Sequence, residues 1–104
     1  DDIDVNKPKN TGSTPLYMAA QEGRVQIVQT LLTRDGIDVN KPQKDESTGL
    51  LMASLNGHVE VVSLLLQQTN INLNAVSYQK TALSWATQNN HTEVVQLLTE
   101  AGAQ

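Results

Sequence analysis

The hexapeptide IDVNKP occupies residues 3–8, and the same six residues occur again at residues 37–42, 34 positions later. A weaker copy, INLN, lies at residues 71–74, again after a step of 34. Self-similarity at a fixed interval is the signature of a repeat architecture, in which each copy forms one structural unit. The sequence therefore predicts three copies of one unit.

A second landmark recurs with almost the same period. The tripeptides TPL, TGL and TAL start at Thr14, Thr48 and Thr81, which are 34 and then 33 residues apart. A threonine at this position can accept hydrogen bonds from the unpaired N–H groups at the start of a helix, and Pro15 occupies the favoured first helical position. Each unit is therefore expected to begin a helix directly after its threonine.

The apolar residues of the middle copy form two groups, residues 50–53 and 59–66, with Asn56-Gly57 between them. Helical periodicity on both sides of an Asn-Gly break is typical of two short helices joined by a tight turn. The first helices of the three units are predicted at residues 15–22, 49–56 and 82–89, and the second helices at residues 25–34, 59–68 and 92–100.

The stretches that precede these helices are polar. Each Ile-Asp-Val-Asn-like stretch alternates apolar and polar residues and leads into a polar segment, at residues 7–13, 41–47 and 75–80. Such a pattern predicts an extended arm followed by a turn.

Composition narrows the class of protein. The 104 residues carry a net charge of -4, no Cys and three aromatic residues, so one domain with an aliphatic core is expected. No cluster of Lys or Arg is long enough to follow a phosphate backbone, so nucleic acid is not an expected partner. No apolar run approaches the roughly 20 residues that cross a bilayer, so no membrane partner is expected either.

The first-helix segments TPLYMA, TGLLMA and TALSWA resemble the Thr-Pro-Leu-His-x-Ala pattern of ankyrin repeats. The segment GHVEVVSLLL at residues 57–66 is similar to the second helix of that family. Three positions depart from the pattern: the first-helix His is replaced by Tyr17, Leu51 and Ser84, the Pro is kept only as Pro15, and the turn Gly, present as Gly12, is replaced by Glu46 and Gln79.

The resemblance implies an all-α solenoid of three stacked helix-turn-helix repeats connected by β-turn or hairpin loops. One domain, residues 1–104, would contain unit one (7–40), unit two (41–74) and unit three (75–104), with residues 1–6 as the tail of a preceding repeat. Thr30 and Thr99 stand where unit two has Leu64 and Leu66, which we interpret as partial capping of the terminal units. The tail at residues 1–6 is consistent with a segment of a longer array, and a free-standing protein is left open as the alternative.

Two histidines invite a catalytic or metal-binding hypothesis. His58 and His91 lie 33 residues apart, each two residues before a glutamate. Because both are expected at the start of a second helix, where polar residues satisfy end groups, a structural role is favoured. We expect no catalytic residue, no metal site and no cofactor, with a metal-dependent enzyme as a remote alternative.

The aromatic residues are expected to have different roles. Trp85 is in register with Met18 and Met52, at a position that resembles a buried leucine of the family, so core packing is predicted, with partner binding as the alternative. Tyr78 lies in a polar turn segment where no apolar periodicity requires it, and it is a candidate for an exposed anchor.

The resemblance implies a non-catalytic module that binds another protein through its turn tips and its first-helix face; a structural spacer without a partner is the alternative. Leu55 is notable because its counterparts are Gln21 and Gln88. A monomer in the cytoplasm, or alternatively in the nucleus, is expected. The predicted contact residues are Asn10, Thr11, Ser13, Gln21, Glu22, Lys44, Asp45, Ser47, Leu55, Asn56, Ser77, Tyr78, Lys80, Gln88 and Asn89.

Overall fold

A computed structural model describes residue 6 and residues 13–104. Its six helices occur in three pairs, one pair for each predicted unit, and all of them begin where the sequence predicts. The helices are α1 (Pro15–Glu22), α2 (Val25–Leu32), α3 (Gly49–Leu55), α4 (Val59–Leu66), α5 (Ala82–Gln88) and α6 (Thr92–Glu100). The prediction of an all-α fold of helix-turn-helix units is confirmed.

The starts of the first helices are set by the three predicted threonines. The hydroxyl oxygens of Thr14, Thr48 and Thr81 each accept a hydrogen bond from the backbone N–H three residues later, at 3.1 to 3.2 Å. These bonds satisfy N–H groups that have no partner inside the helix. The N-cap predictions are therefore confirmed, and Pro15 lies at the start of its helix as expected.

The three pairs stack side by side into a body of 41 × 24 × 21 Å. The first helices form one layer, in which α3 contacts α1 and α5, and the second helices form the other, in which α4 contacts α2 and α6. A single aliphatic core runs between the layers and through all three units. Its fully buried members are Ala20, Val28, Ala53, Val61, Val62, Leu65, Ala86, Val94 and Leu98.

The arms between units are not strands. Residues 37–38 have no regular structure and residues 39–40 form a turn, so the extended part of the predicted arm is only two residues long. In the described part of the chain the single β-bridge is an isolated one between Ser77 and Lys80. The alternating pattern of the arm thus reflects the packing of Ile37 and Val39 against the core rather than pairing in a sheet.

Asparagine side chains connect these arms to one another. The Asn40 amide donates to the carbonyl oxygen of Asn70 at 2.7 Å, and its oxygen accepts from the N–H of Asn72 at 2.7 Å. Asn6 makes the same pair of bonds to Gly36 and Asp38, each at 2.8 Å. Because a primary amide has a donor and an acceptor, one side chain satisfies two backbone groups of the next unit.

Candidate functional site

The predicted contact residues differ widely in exposure. Exposed side chains belong to Gln21, Glu22, Lys44, Asn56, Tyr78, Gln88 and Asn89, and partly exposed ones to Asp45, Leu55 and Lys80. Ser13, Ser47 and Ser77 are buried. Asn10 and Thr11 lie outside the described residues.

The three buried serines bind through their side chains to other parts of this chain, and two of them, Ser47 and Ser77, also line an apolar depression between units two and three. Ser47 donates to the Asp45 carboxylate, so its oxygen accepts from the Tyr17 hydroxyl of unit one at 2.8 Å. The Ser77 hydroxyl donates to the carbonyl of Asp45 at 2.7 Å, and Ser13 donates to the side chain of another residue, Gln43. These hydroxyls therefore fasten one hairpin to the next.

The Tyr17 side chain links units one and two through its hydrogen bond with Ser47. The phenol is 3 % exposed and hydrogen-bonded across the boundary between units one and two. Burial, which disfavours the charged phenolate, raises the pKa of Tyr17 above its ordinary value, and the negative charge of Asp45 acts in the same direction. Once the phenol has ionised, the Ser47 hydroxyl can donate to the phenolate instead of to Asp45, so the hydrogen bond with Ser47 opposes this rise in the pKa. Tyrosine at the family's histidine position thus serves as an inter-unit linker.

The two described hairpin tips have different turns. Tyr78 and Gln79 have φ angles of 52° and 66°, and the N–H and C=O groups of Ser77 and Lys80 bond to each other at 3.1 Å in both directions. Two positive φ angles in a two-residue loop are the mark of a type I′ turn. The turn holds the Tyr78 side chain outward, 74 % exposed, so the prediction that it is exposed is confirmed.

The tip of unit two is one residue longer. The N–H of Glu46 donates to the Gln43 carbonyl at 2.9 Å, and the N–H of Gln43 donates to the Ser47 carbonyl at 2.8 Å. Glu46 has a φ of 73°. This is a three-residue loop whose last residue is left-handed. Thr48 and Thr81 are 33 residues apart, one fewer than Thr14 and Thr48, and the residue that unit three lacks accounts for its different turn type.

An apolar depression of about 190 Å³ lies between the tips and the first helices of units two and three. Tyr78 and Leu55 line it together with Leu51, Met52 and Trp85. The structure thus brings the two predicted anchor residues to one place. Met52 and Leu51 were not predicted to take part, although the three-residue spacing of Met52 and Leu55 puts them on one helix face.

The prediction that Trp85 packs in the core is wrong. Its side chain is only partly buried and lies outside the core cluster, on the depression, where its indole N–H donates to the Ser77 carbonyl at 3.4 Å. The Lys80 ammonium stands 4.6 Å from the centroid of the ring and also donates to the Gln88 side chain. The register with Met18 and Met52 was correct, but those two residues are also only partly buried.

His58 and His91 connect neighbouring units rather than capping their own helices. Both are the N-cap residues of second helices, and neither side chain makes a capping bond. Their Nε2 atoms instead lie 2.9 Å from carbonyl oxygens of the preceding unit, those of Gln21 and Leu55. Since a carbonyl only accepts, Nε2 carries the proton. The predicted structural role is correct, but its target is another helix.

Two of the predicted contact residues, Asn56 and Asn89, bond to the same backbone carbonyl oxygens as the two histidines. The Asn56 amide donates to the Gln21 oxygen at 3.1 Å and the Asn89 amide to the Leu55 oxygen at 2.9 Å. Both side chains are exposed but already bonded to the neighbouring unit. Glu22, at the same position in unit one, forms an ion pair with Arg24 at 2.7 Å.

No group of three His, Cys, Asp or Glu side chains suited to a metal ion occurs among residue 6 and residues 13–104. Over the same residues, no helix is long and apolar enough to cross a membrane.

Comparison with known proteins agrees with the repeat geometry. A family model described as ankyrin repeats, three copies, matches residues 36–104, and a model described as ankyrin repeat matches residues 11–44. The chain belongs to the ankyrin repeat family. Ankyrin repeats are generally protein-protein interaction modules and are typically non-catalytic. No curated protein matched this chain.

Proposed function

We propose that this ankyrin-repeat chain binds another protein through its first-helix face and hairpin tips, with the depression beside Leu55 as the centre of the contact. The observation that carries the proposal is the meeting of Leu55, Tyr78 and Trp85 around one apolar hollow. Binding energy in protein interfaces is concentrated in a few aromatic and aliphatic residues near the centre.

The position of Tyr78 supports its role as an anchor. A large side chain that is 74 % exposed can bury much more surface on binding than on folding. The type I′ turn limits the backbone at its base, so less conformational entropy is lost when a partner covers the ring. Tyr78 thus forms one wall of a site that is preformed in the free protein.

The edge of the depression is polar. Asp45, Ser47 and Ser77 line the depression beside its apolar residues, and Lys80 contacts the Trp85 ring and the Gln88 side chain. An apolar centre with a polar, solvated rim is the usual composition of an interface between proteins that also exist separately. The chemistry of this surface favours a protein partner that inserts one apolar side chain.

The proposal is tested by affinity capture with three forms of the chain: the wild type, the double variant Leu55→Ala/Tyr78→Ala, and Val76→Ala. Val76 is a matched control, because it is 50 % exposed in the same arm and does not line the depression. Captured proteins are identified by mass spectrometry, and helicity is measured by circular dichroism.

The expected result is a protein that the wild type and Val76→Ala retain and the double variant loses, with helicity unchanged in all three. The same captured proteins with all three forms, or none with any, would contradict the proposal and favour the spacer hypothesis. Loss of helicity in the double variant would show that Leu55 and Tyr78 belong to the fold rather than to a contact surface.

A further inference from the structure

The depression beside Leu55 has one charged side chain in its lining, the carboxylate of Asp45. The other lining residues are the five apolar and aromatic ones already described and the two serines, Ser47 and Ser77. No Lys or Arg is among the described residues that line it. The hollow is therefore apolar with a single negative charge.

The Asp45 residue is held in place from two sides. Its Oδ1 atom accepts from the Ser47 N–H at 3.0 Å and from the Ser47 hydroxyl. Its backbone carbonyl accepts from the Ser77 hydroxyl of the next hairpin at 2.7 Å. Because these bonds fix the residue in the free protein, little further ordering is needed when a partner binds beside it.

The charge of Asp45 has no counterpart in this chain. Over residue 6 and residues 13–104, the single ion pair is the one between Arg24 and Glu22, and Oδ2 of Asp45 accepts no hydrogen bond. The nearby Lys80 ammonium contacts the Trp85 ring and donates to Gln88 instead. In the described structure the Ser54 hydroxyl is the one buried side-chain N or O atom without a partner, so Oδ2 is open to solvent.

A partner that covers the depression removes water from this carboxylate. Taking an ionised group out of water is costly unless a cation or hydrogen-bond donors take the place of that water. A purely apolar partner would leave Asp45 unpaired, and an acidic one would add repulsion between like charges. A Lys or Arg side chain supplies charge-assisted hydrogen bonds to the carboxylate. The energetics of covering the hollow therefore favour a basic partner.

The charge of the surroundings acts in the same direction. The first helices of units two and three contain no charged residue, and in the tip of unit two Lys44 and Glu46 offset each other. The chain as a whole has a net charge of -4. A negative net charge attracts basic partners over a distance and raises their rate of encounter.

We propose that the partner presents a basic side chain next to the apolar one that it inserts. The apolar side chain fills the space between Leu55, Tyr78 and Trp85, and the Lys or Arg beside it pairs with Asp45. The occupant is therefore a basic linear segment rather than an acidic or neutral one. This inference rests on the proposed function, because it specifies the chemistry of the partner at the same depression.

The experiment selects ligands from a library of random linear peptides that lack tryptophan, displayed on phage. Four forms of the chain are used as bait: the wild type, Asp45→Asn, the control Glu46→Gln, and Leu55→Ala/Tyr78→Ala. Asparagine keeps an oxygen that can accept from Ser47, so the hairpin bonds persist, and circular dichroism checks the fold of each form. Glu46 is a matched control, because it is an exposed acid of the same tip that does not line the depression.

Peptides enriched on the wild type and on Glu46→Gln should carry an apolar residue with a Lys or Arg close to it in the sequence. On Asp45→Asn the apolar residue should still be selected, and the preference for Lys or Arg should disappear. Selection of apolar residues without basic ones, or an equal basic preference on Asp45→Asn, would overturn this inference and leave the proposed function intact. No enrichment on the wild type over the Leu55→Ala/Tyr78→Ala form would overturn both.

Trp85 permits a second measurement, because it is the only tryptophan of the chain and it lines the depression. Its fluorescence is titrated with the most enriched peptide and with the same peptide in which the Lys or Arg is replaced by Gln. The replacement should weaken binding to the wild type by about tenfold and binding to Asp45→Asn by less than about twofold. An unchanged affinity of the wild type, or an equal loss with both proteins, would overturn the proposal. The comparison on the wild type decides it even where Asp45→Asn is poorly folded.

Discussion

Gly57 lies where a single added carbon meets a histidine of the next unit. Its φ is 75°, and a Cβ built on it would lie 2.5 Å from Nδ1 of His91. Gly23 has the same relation to His58, at 2.6 Å. The equivalent residue of unit three is Asn90, which also has a positive φ, 61°, but no described unit follows it. Glycine is thus required where a histidine ring covers the turn.

Gly57→Ala should lower the free energy of unfolding by about 2 to 3 kcal/mol. Holding an alanine in the left-handed region accounts for about 1 to 2 kcal/mol. Displacing the His91 ring breaks its 2.9 Å bond to the Leu55 carbonyl, and a hydrogen bond of this kind contributes about 1 kcal/mol. Asn90→Ala, which changes the same turn without an overlying ring, should lower it by less than about 1 kcal/mol.

Urea-induced unfolding monitored by circular dichroism measures both variants, together with His91→Ala and the double variant Gly57→Ala/His91→Ala. Because the clash is absent once the ring is removed, the double variant should be more stable than the sum of the single effects predicts, by about 1 kcal/mol. Additive effects of the two changes, or equal losses in Gly57→Ala and Asn90→Ala, would refute the idea that the histidine ring imposes the glycine.

Three further outcomes follow from the described contacts. Because burial raises the pKa of Tyr17, this phenol ionises first in the unfolded state, so its contribution to stability should be constant up to about pH 10 and fall above it; Tyr17→Phe should lose part of that fall when unfolding midpoints are measured across the alkaline range. The Ser54 hydroxyl is buried without a hydrogen-bond partner in the described structure, and its counterpart in unit one is Ala20. Ser54→Ala should therefore raise the free energy of unfolding by about 1 kcal/mol and with it the melting temperature, and a lower melting temperature would contradict this. Asn40→Ala removes two inter-unit hydrogen bonds and should lower the free energy of unfolding, measured by urea titration, by about 1 to 2 kcal/mol. The Asn72 side-chain oxygen accepts from the N–H of Asn74 within its own turn, so Asn72→Ala should lower it by about half as much. Equal losses would count against a linking role for Asn40.

The sequence predicted the helices closely because local chemistry decides where they begin. Thr14, Thr48 and Thr81 cap the first helices through bonds that span three residues, and Gly23 and Gly57 end the turns. The helix ends are less exact: α2 and α4 end two residues earlier than predicted, and α3 and α5 end one residue earlier. Periodicity identifies a buried face but leaves the last turn of a helix uncertain.

The candidate site was less predictable, because it depends on contacts between units. The sequence singled out Leu55 and Tyr78, which are 23 positions apart, but it did not predict that Trp85 lines the same depression. It also placed Ser47 and Ser77 on the surface, since a serine beside a turn is usually solvated. Their burial follows from the distance at which successive hairpins stack, and that distance is not encoded in any one unit.

Polar cross-links between successive units join residues that are only 30 to 37 positions apart along the chain. Short loops close with little loss of entropy, so the folding barrier should be low and largely indifferent to the number of units. Unit two has neighbours on both sides, and nucleation there should let structure spread to either end. The folding rate of this chain is therefore expected to respond most to substitutions in α3 and α4.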